Sequence, residues 1–415
     1  MQSTTIRLPK FSIEKLSPVT MCSERNPGFS GGIWSEMSSV VLRLPEGRVA
    51  MVSTNKSGAY RMRDGKTFMD SEPYDCSTQA MVSKGNYNAA DGRLLDPDEV
   101  PRYPYWKLNY YGAYDFYVAN GVIHAFMHGE NKNERLIVDG KVYEYRNSVK
   151  PDDTLYRKDE FAGYAEDGYY YDCGENYFAF IGRSSCRADD IFTPDIFNRN
   201  DRGPVVWPDC GYLNAEYRSV AMGVRHPSVF CHGGYVYVYY LEHTASSKCI
   251  KVIRSKTDDA GAPTAFYKFD GEDFTIPSTP FERPSDDRSV FQKGTAASPG
   301  LFASAFPCRF SVAALKGTPY FLGVCEEMDD EKHSHYLRLS SDLVHWGEPV
   351  EIEGVSSANW NVGVLHYPYL TDERFEKVMA VDPEDFYITG TYHDPDNGNL
   401  PTPEYLRLRL KLELE

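Results

Sequence analysis

Two acidic residues lie where a pair of carboxyl groups could act together. Asp115 opens an aromatic run, and Glu130 follows His128 one run later, with Asn120-Gly121 between the two runs. An Asn-Gly pair between β-rich runs predicts a tight hairpin, so we expect both acids at strand ends. Cleavage of a glycosidic bond needs two such groups, one protonated and one ionised. The competing interpretation is a turn-capping aspartate and a solvated glutamate.

A second patch surrounds Glu216, Arg225 and His226. Arg225-His226-Pro227 precedes an apolar run, which is where an inner strand would begin. Arginine forms paired hydrogen bonds with carboxylates, and it can lower the pKa of a neighbouring acid. Glu216 is the best acid candidate of this patch. The alternative is that Arg225 forms a structural ion pair with a loop carboxylate.

Other polar residues recur at the ends of aromatic runs. Glu242 and Glu326 each end one, which places both as analogues of Glu130, and His366 opens the last run. Recurrence weakens the catalytic case for any one glutamate, because repeats also keep polar strand ends for structural reasons. Four tryptophans in loop-like segments could stack on a sugar ring: Trp34, Trp106, Trp207 and Trp360. Trp346 belongs to the repeated pattern and is expected in the core.

A recurring sequence pattern predicts the strands that position these residues. An apolar run, a turn, a tyrosine-rich run and a run ending in Ser-Lys or Ser-Asp occur at 229–256 and again at 312–342. Repeats of four short strands are typical of propeller blades. We therefore expect an all-β fold, a five-bladed β-propeller of four-stranded antiparallel blades around a central funnel. The predicted units lie at 38–60, from 111 onward, and at 224–270, 310–352 and 364–412.

The whole chain, 1–415, is predicted to be a single propeller domain. The stretches near 61–110 and 145–215 are rich in Asp, Gly, Pro, Asn and Tyr, and are interpreted as long loop insertions with short strands. Residues 405–412 alternate strictly between apolar and polar side chains, which predicts a half-buried strand. We expect that strand to complete the first blade and so close the ring.

The amino-acid composition limits the kinds of binding partner and the cellular location that we expect. Among 415 residues, 60 are Asp or Glu and 44 are Lys or Arg, and this net charge of -16 argues against nucleic acid. No apolar run is long enough to span a membrane, and none near residue 1 fits a signal peptide. A cytoplasmic location is expected, or a secreted one if a signal peptide was removed. The nine cysteines, without CxxC pairs, are interpreted as buried thiols.

Residues 340–346, Ser-Ser-Asp-Leu-Val-His-Trp, resemble the SxDLxxW blade signature of the five-bladed propeller glycosidases. That group includes the arabinanases and xylosidases of glycoside hydrolase family 43 and the fructosidases of family 32. Residues 225–230 are similar to their R/x-D-P-x-V-F strand, and the likeness extends from about residue 111 to the end. His226 stands where those families often carry Asp, so that carboxylate is not carried over. Their opening DP strand is absent, with Asp115 its nearest substitute, and Cys325-Glu326 reverses the fructosidase EC element.

The resemblance implies a glycoside hydrolase acting on a furanoside or short oligosaccharide. In this hypothesis Asp115 is base or nucleophile, Glu216 is the general acid, and Glu130 is a further catalytic candidate. The predicted substrate-binding residues are Arg225, His226, His128, Glu242, His366 and Trp360. The alternatives are a non-catalytic carbohydrate-binding propeller, or a glycoside phosphorylase or lyase on the same scaffold.

The same resemblance bears on cofactors and assembly. No cofactor is expected to be required, and no spacing specifies a metal site, but a structural Ca2+ in the central channel is common among such propellers. Acidic loops could supply its oxygen ligands. A small carbohydrate is the expected partner, and the oligomeric state is left open, a homo-oligomer included.

Overall fold

The computed structural model describes residues 8–18, 20–21, 39–44, 49–53, 57–62, 71–74, 110–131, 135–138, 141–144, 178–191, 196–200, 202–207, 209, 223–244, 247–279, 296–303, 307–328, 333–355, 365–392 and 404–415. Most of these residues form β-strands. Helix in this part of the chain is limited to a 3-10 turn, Ala188–Asp190, and the four-residue α1, Ile196–Arg199. The prediction of an all-β chain is confirmed. No helix among the described residues is long and apolar enough to cross a membrane.

The first half of the chain forms two four-stranded antiparallel sheets. Two short strands come first, β1 (Phe11–Lys15) and β2 (Thr20–Met21). The first sheet follows in chain order as β3 (Ser39–Arg43), β4 (Val49–Ser53), β5 (Ser57–Met62) and β6 (Ser71–Tyr74). The next strands are β7 (Tyr110–Ala119), β8 (Val122–Asn131), β9 (Arg135–Val138), β10 (Lys141–Glu144), β11 (Phe178–Arg187) and β12 (Pro204–Val206). The second sheet has the order β12-β11-β8-β7, and β9 pairs with β10.

Three more sheets follow. The third contains β13 (Gly223–His232), β14 (Tyr235–Thr244), β15 (Ser247–Thr257), β16 (Pro263–Phe269), β17 (Phe274–Pro277) and the short β18 (Phe302–Ala303). The fourth contains β19 (Pro307–Leu315), β20 (Phe321–Met328), β21 (His333–Ser340) and β22 (Val350–Glu351). The last strands are β23 (His366–Thr371), β24 (Ala380–Val381), β25 (Phe386–Tyr392) and β26 (Glu404–Leu414). β24 joins the fourth sheet in parallel to β19, whereas β23, β25 and β26 form the fifth sheet with β1 and β2.

One expectation about organisation was wrong. β26 was expected to complete the first unit, but it pairs with β25 and with the N-terminal β1, so the two ends of the chain meet in the fifth sheet. Strict alternation identifies a strand without identifying its partner, which explains the error. The stretch 145–215 holds β11, a ten-residue strand that pairs with β8 along its whole length.

The first strands of the sheets contact one another in succession. β3 contacts β7, β7 contacts β13, β13 contacts β19, and β19 contacts β23. Beyond β23, the Lys377 N–H donates to the Val41 carbonyl of β3 at 3.0 Å. Glu376 also forms a parallel bridge with Val41. These contacts return from the fifth sheet to the first.

Both faces of a sheet are buried here, which explains the tyrosine-rich strands. In β14, Val236, Val238 and Tyr240 pack in the core cluster shared with the second sheet. The alternate residues Tyr237, Tyr239 and Leu241 pack in the cluster shared with the fourth sheet. Because successive side chains of a strand point to opposite faces, one run of apolar and aromatic residues supplies two interfaces.

The residues that carry the family resemblance form a turn with an aromatic anchor. Asp342 Oδ1 accepts the backbone N–H groups of Val344 at 3.0 Å and His345 at 2.8 Å. Trp346 then packs edge-on against Phe310, with ring centroids 4.6 Å apart. Asp342 is therefore a turn-forming residue. Trp346, predicted to lie in the core, is partly buried and packs against the core cluster of the third and fourth sheets.

Replacing the glycine at the start of β13 is expected to destabilise the fold measurably. Gly223 has φ of +78°, and a Cβ there would lie 2.2 Å from the carbonyl oxygen of Ala179. Gly223→Ala is expected to lower the free energy of unfolding by about 2–5 kcal/mol, from left-handed backbone strain plus the clash. Gly234→Ala is the control, because Gly234 has φ of +79° and open space. Equal losses in urea unfolding would contradict the clash.

Candidate functional site

Four of the first strands carry a β-bulge near their amino ends. The register shifts lie between Ala113 and Asp115 in β7, Arg225 and Ser228 in β13, Pro307 and Phe310 in β19, and His366 and Tyr369 in β23. A bulge re-aims a side chain out of the regular alternation of its strand. His226 and Tyr367 both have φ of +53°, a strained backbone of the kind that accompanies functional sites.

The bulge residues and one neighbour converge in a cluster that we call the hub: Tyr114, His128, His226, Arg309 and Tyr367. The Tyr114 ring stacks on His226 at 5.6 Å, and Tyr367 meets His226 edge-on at 5.2 Å. The Arg309 guanidinium lies 5.3 Å from the centre of the Tyr114 ring, in cation–π geometry. Four different sheets thus contribute to one aromatic and cationic cluster. Tyr367 is half-buried, and the other four side chains are buried.

The hub joins two histidines that the sequence singled out. His128 stacks on His226 with ring centroids 5.5 Å apart. The backbone N–H of His226 donates to His128 Nδ1 at 3.3 Å. This bond assigns a lone pair to Nδ1, so a neutral His128 carries its proton on Nε2. Arg225, the residue before His226, is buried opposite Leu241 of β14.

Asp115 lies beside the hub, and hydrogen-bond donors and cations surround its carboxylate. Its Oδ1 accepts the Phe116 N–H at 2.8 Å, and its Oδ2 accepts the Val229 N–H and Lys377 Nζ, each at 2.7 Å. Arg309 Nη2 lies 3.3 Å from the same Oδ2. The carboxylate is fully buried. It therefore ties β7 to β13, β19 and the segment after β23.

The positive charge of the buried Lys377 depends on the carboxylate of Asp115. Burial lowers the pKa of Lys377, and the attraction and hydrogen bond of Asp115 act in the opposite direction. The Lys377 side chain is 2% exposed, so it has little water to replace a lost partner. In this geometry Asp115 acts as the counter-charge of two buried cations, Arg309 of the hub and Lys377 beside it.

A second buried cluster lies where the second sheet meets the third. Asp209 accepts Lys268 Nζ at 2.6 Å and the Ser298 N–H at 2.7 Å, and also contacts Lys251 Nζ. Glu242 Oε1 lies 3.3 Å from the same Lys251 Nζ. Its other oxygen, Oε2, is buried and has no hydrogen-bond partner among the residues that the structure describes. Asp209 was not predicted as a site residue; Glu242 was.

The two carboxyl groups of this cluster have pKa values displaced in opposite directions. Burial raises the pKa of Glu242, and the charge of Asp209 adds to the effect, against the opposing lysines. Burial alone would raise the pKa of Asp209 too, but the charges and hydrogen bonds of Lys268 and Lys251 lower it. Opposite displacement in a neighbouring pair favours one protonated and one ionised carboxyl group at the same pH.

The other predicted residues have different outcomes. Glu216 and Trp360 lie outside the described residues. Glu130 and His366 belong to β8 and β23, but their side chains are likewise outside the description. Glu130, Glu242 and Glu326 all lie toward the ends of the second strands of their sheets, β8, β14 and β20, as the repeat analogy expects. Their registers differ, since Glu130 pairs with Tyr110, Glu242 pairs with Val224, and Glu326 lies opposite the bulge of β19. The bulges offset the strands by amounts that the sequence pattern does not reveal.

Sequence reasoning missed Tyr114, Arg309, Tyr367 and Lys377. One signal was present for Tyr367, because Tyr367-Pro368 repeats the His226-Pro227 pattern at the equivalent bulge. A further cluster that could hold a metal ion consists of Glu326, His333 and His335.

A cavity of about 490 Å³ lies at the other end of the first strands. Its lining includes Tyr117, His232 and Tyr235, near the carboxyl end of β7 and around the β13–β14 turn. Tyr114 and His226 lie nearer the amino ends of β7 and β13. None of the hub residues, and none of the predicted site residues that the structure describes, lines this cavity; Lys377, which donates to Asp115, does.

Comparison with known proteins finds solved structures of similar fold but no match by sequence. No protein-family model and no curated protein match the chain. The α-L-arabinofuranosidase PaAbf62A of Podospora anserina is 10% identical, with 92% of each chain covered and a TM-score of 0.43. An endo-arabinase of Bacteroides thetaiotaomicron is also 10% identical, with 91% of this chain and 94% of that chain covered and a TM-score of 0.43.

A third solved structure is Zg3597, a family 117 glycoside hydrolase of the marine bacterium Zobellia galactanivorans. It is 10% identical, covers 98% of this chain and 91% of its own, and has a TM-score of 0.41. All three are glycoside hydrolases, the class of enzyme that the sequence resembles. At these scores none of them carries a residue role to this chain, whose site rests on its own geometry.

Proposed function

We propose that the five sheets are the blades of a five-bladed β-propeller and that the protein is a glycoside hydrolase. The observation that carries this proposal is the convergence of Tyr114, His128, His226, Arg309 and Tyr367, from four sheets, on one hub. Imidazole, phenol and guanidinium groups offer hydrogen bonds to sugar hydroxyls, and aromatic faces offer packing for a sugar ring. Tyr367, the half-buried member, forms the floor on which the sugar rests.

Glu242 is the general acid in this proposal. Its raised pKa keeps the carboxyl group protonated to higher pH than an ordinary glutamate, and its Oε2 has no hydrogen-bond partner in the described part of the chain. A protonated carboxyl can then donate to the departing glycosidic oxygen. The second carboxylate then comes from Glu216, which the sequence predicted as the general acid, or from Glu130. Asp115 acts as a positioning residue, since its oxygens are engaged by Phe116, Val229, Lys377 and Arg309.

The assay that tests the proposal measures release of aryl alcohol from a panel of aryl furanosides and pyranosides, with and without added phosphate. We expect hydrolysis without phosphate. Tyr367→Phe should lower kcat/KM about 3- to 10-fold, the effect of one lost hydrogen bond. Tyr267→Phe, at an exposed position of β16, is the control and should leave kcat/KM unchanged.

Other outcomes would replace the proposal. Turnover that requires phosphate would identify a glycoside phosphorylase. Sugar binding without turnover on the whole panel would identify a carbohydrate-binding propeller. Equal effects of the two tyrosine variants would remove the hub from the substrate site.

A further inference from the structure

Three ligand-type side chains share one face of the fourth sheet. Glu326 of β20 pairs directly with His335 of β21, and His333 lies two residues before His335 on the same strand. Residues two apart on a strand point to the same side, and directly opposed residues on paired strands are close neighbours. The strand pairing therefore brings one carboxylate and two imidazoles together by backbone geometry.

The three side chains are close together and buried from solvent. Their relative exposures are 0% for Glu326, 1% for His333 and 0% for His335. One ligand atom from each lies within 4.8 Å of the ligand atoms of the other two. His333 Nε2 is in direct contact with Glu326 Oε1. A buried carboxylate is costly unless a cation compensates it, so this cluster calls for positive charge from a protonated histidine or from a metal ion.

Backbone groups at the start of β23 and just before it orient two of the three side chains. Glu326 Oε2 accepts the Tyr367 N–H at 2.6 Å. His335 Nε2 lies 2.7 Å from the Leu365 carbonyl oxygen. A neutral His335 that donates there carries its lone pair on Nδ1. Metal-binding histidines commonly donate their second ring nitrogen to a backbone carbonyl in this way, and binding carboxylates are hydrogen-bonded in turn.

We infer that Glu326, His333 and His335 bind a divalent transition-metal ion, with Zn2+ as the ion that fits best. Two imidazoles and one carboxylate are a zinc-type donor set, whereas Ca2+ takes oxygen ligands. The three protein ligands leave a coordination position for water or another donor. Because Glu326 also holds the backbone of Tyr367, the ion fixes the start of β23 and with it the floor of the hub. This inference does not depend on the glycosidase activity.

Metal binding is measured on the full chain, purified without a histidine tag and treated with a chelator. Zn2+ titration should give one equivalent bound and a higher melting temperature, and Co2+ should give the d–d absorption of a low-symmetry nitrogen and oxygen site. Glu326→Gln keeps the size of the side chain and removes its charge. It should weaken Zn2+ binding by at least the roughly 10- to 100-fold that loss of an outer partner costs.

The control is His345→Asn, which removes the histidine of an exposed His–Asp pair on the same sheet. It should leave Zn2+ affinity unchanged. Crystals of the wild-type protein soaked in Zn2+ locate the ion by anomalous scattering, which decides the question even where a variant fails to fold. A peak between the three side chains supports the inference. A peak elsewhere, no peak, or Zn2+ affinity unaltered in a folded Glu326→Gln protein overturns it in favour of a metal-free His–Glu pair.

Discussion

Asp115→Asn is expected to lower the free energy of unfolding by about 3–5 kcal/mol, the usual cost of removing one partner from a buried ion pair. The variant keeps the size of the side chain but leaves Lys377 and Arg309 buried without their counter-charge. Lys377 then releases its proton more readily, because burial already lowers its pKa and the opposing attraction of Asp115 is gone. The loss of stability should therefore be smaller at alkaline pH.

Urea unfolding of the variant, followed by tyrosine and tryptophan fluorescence, measures this loss. Asp385→Asn is the matched control, since Asp385 pairs with Arg409 at the surface and exposed pairs contribute little. The double variant Asp115→Asn with Lys377→Met should recover part of the stability, because it removes a buried charge together with its partner. A stable Asp115→Asn protein that has lost all turnover would instead return Asp115 to the catalytic role predicted from the sequence.

Glu242→Gln is expected to lower kcat by about 100- to 10,000-fold, the range attributed to a general acid. Glutamine fills the same space but has no proton of suitable acidity to give to the leaving oxygen. In the wild type, kcat/KM should fall as pH rises through the raised pKa of Glu242, since the acid must be protonated. That alkaline decline should be absent from the residual activity of the variant.

The pH profile of kcat/KM on the best aryl glycoside measures this effect. Glu376→Gln is the control, because burial also raises the pKa of Glu376 but this residue lines the cavity at the other end of the first strands. It should leave the alkaline decline in place. Full turnover in Glu242→Gln, together with its loss in Glu216→Gln, would transfer the general acid role to Glu216.

The strands were predictable because their signals are local. The Asn120-Gly121 turn between two β-rich runs gives β7 and β8, and strict alternation gives β26. The partner of β26 was not predictable, since the pairing with β1 joins residues at opposite ends of the chain. Alternation describes the faces of one strand and contains no information about which strand lies beside it.

The site was predictable in part for the same reason. His128 and His226 were identified from polar positions next to apolar runs, and they do meet in the hub. Tyr114 and Arg309 join them through bulges, which leave no mark on a one-dimensional pattern. Lys377 reaches Asp115 across 262 positions of sequence. Contacts between the first strands of different sheets bring such residues together.

The most direct test of the hub as a sugar site is a crystal structure with the monosaccharide released from the best substrate. We predict that the sugar ring lies on Tyr367 within hydrogen-bond reach of His226, with the reacting oxygen facing Glu242. A sugar bound in the cavity beside Tyr117 and His232, at the other end of the first strands, would contradict the account.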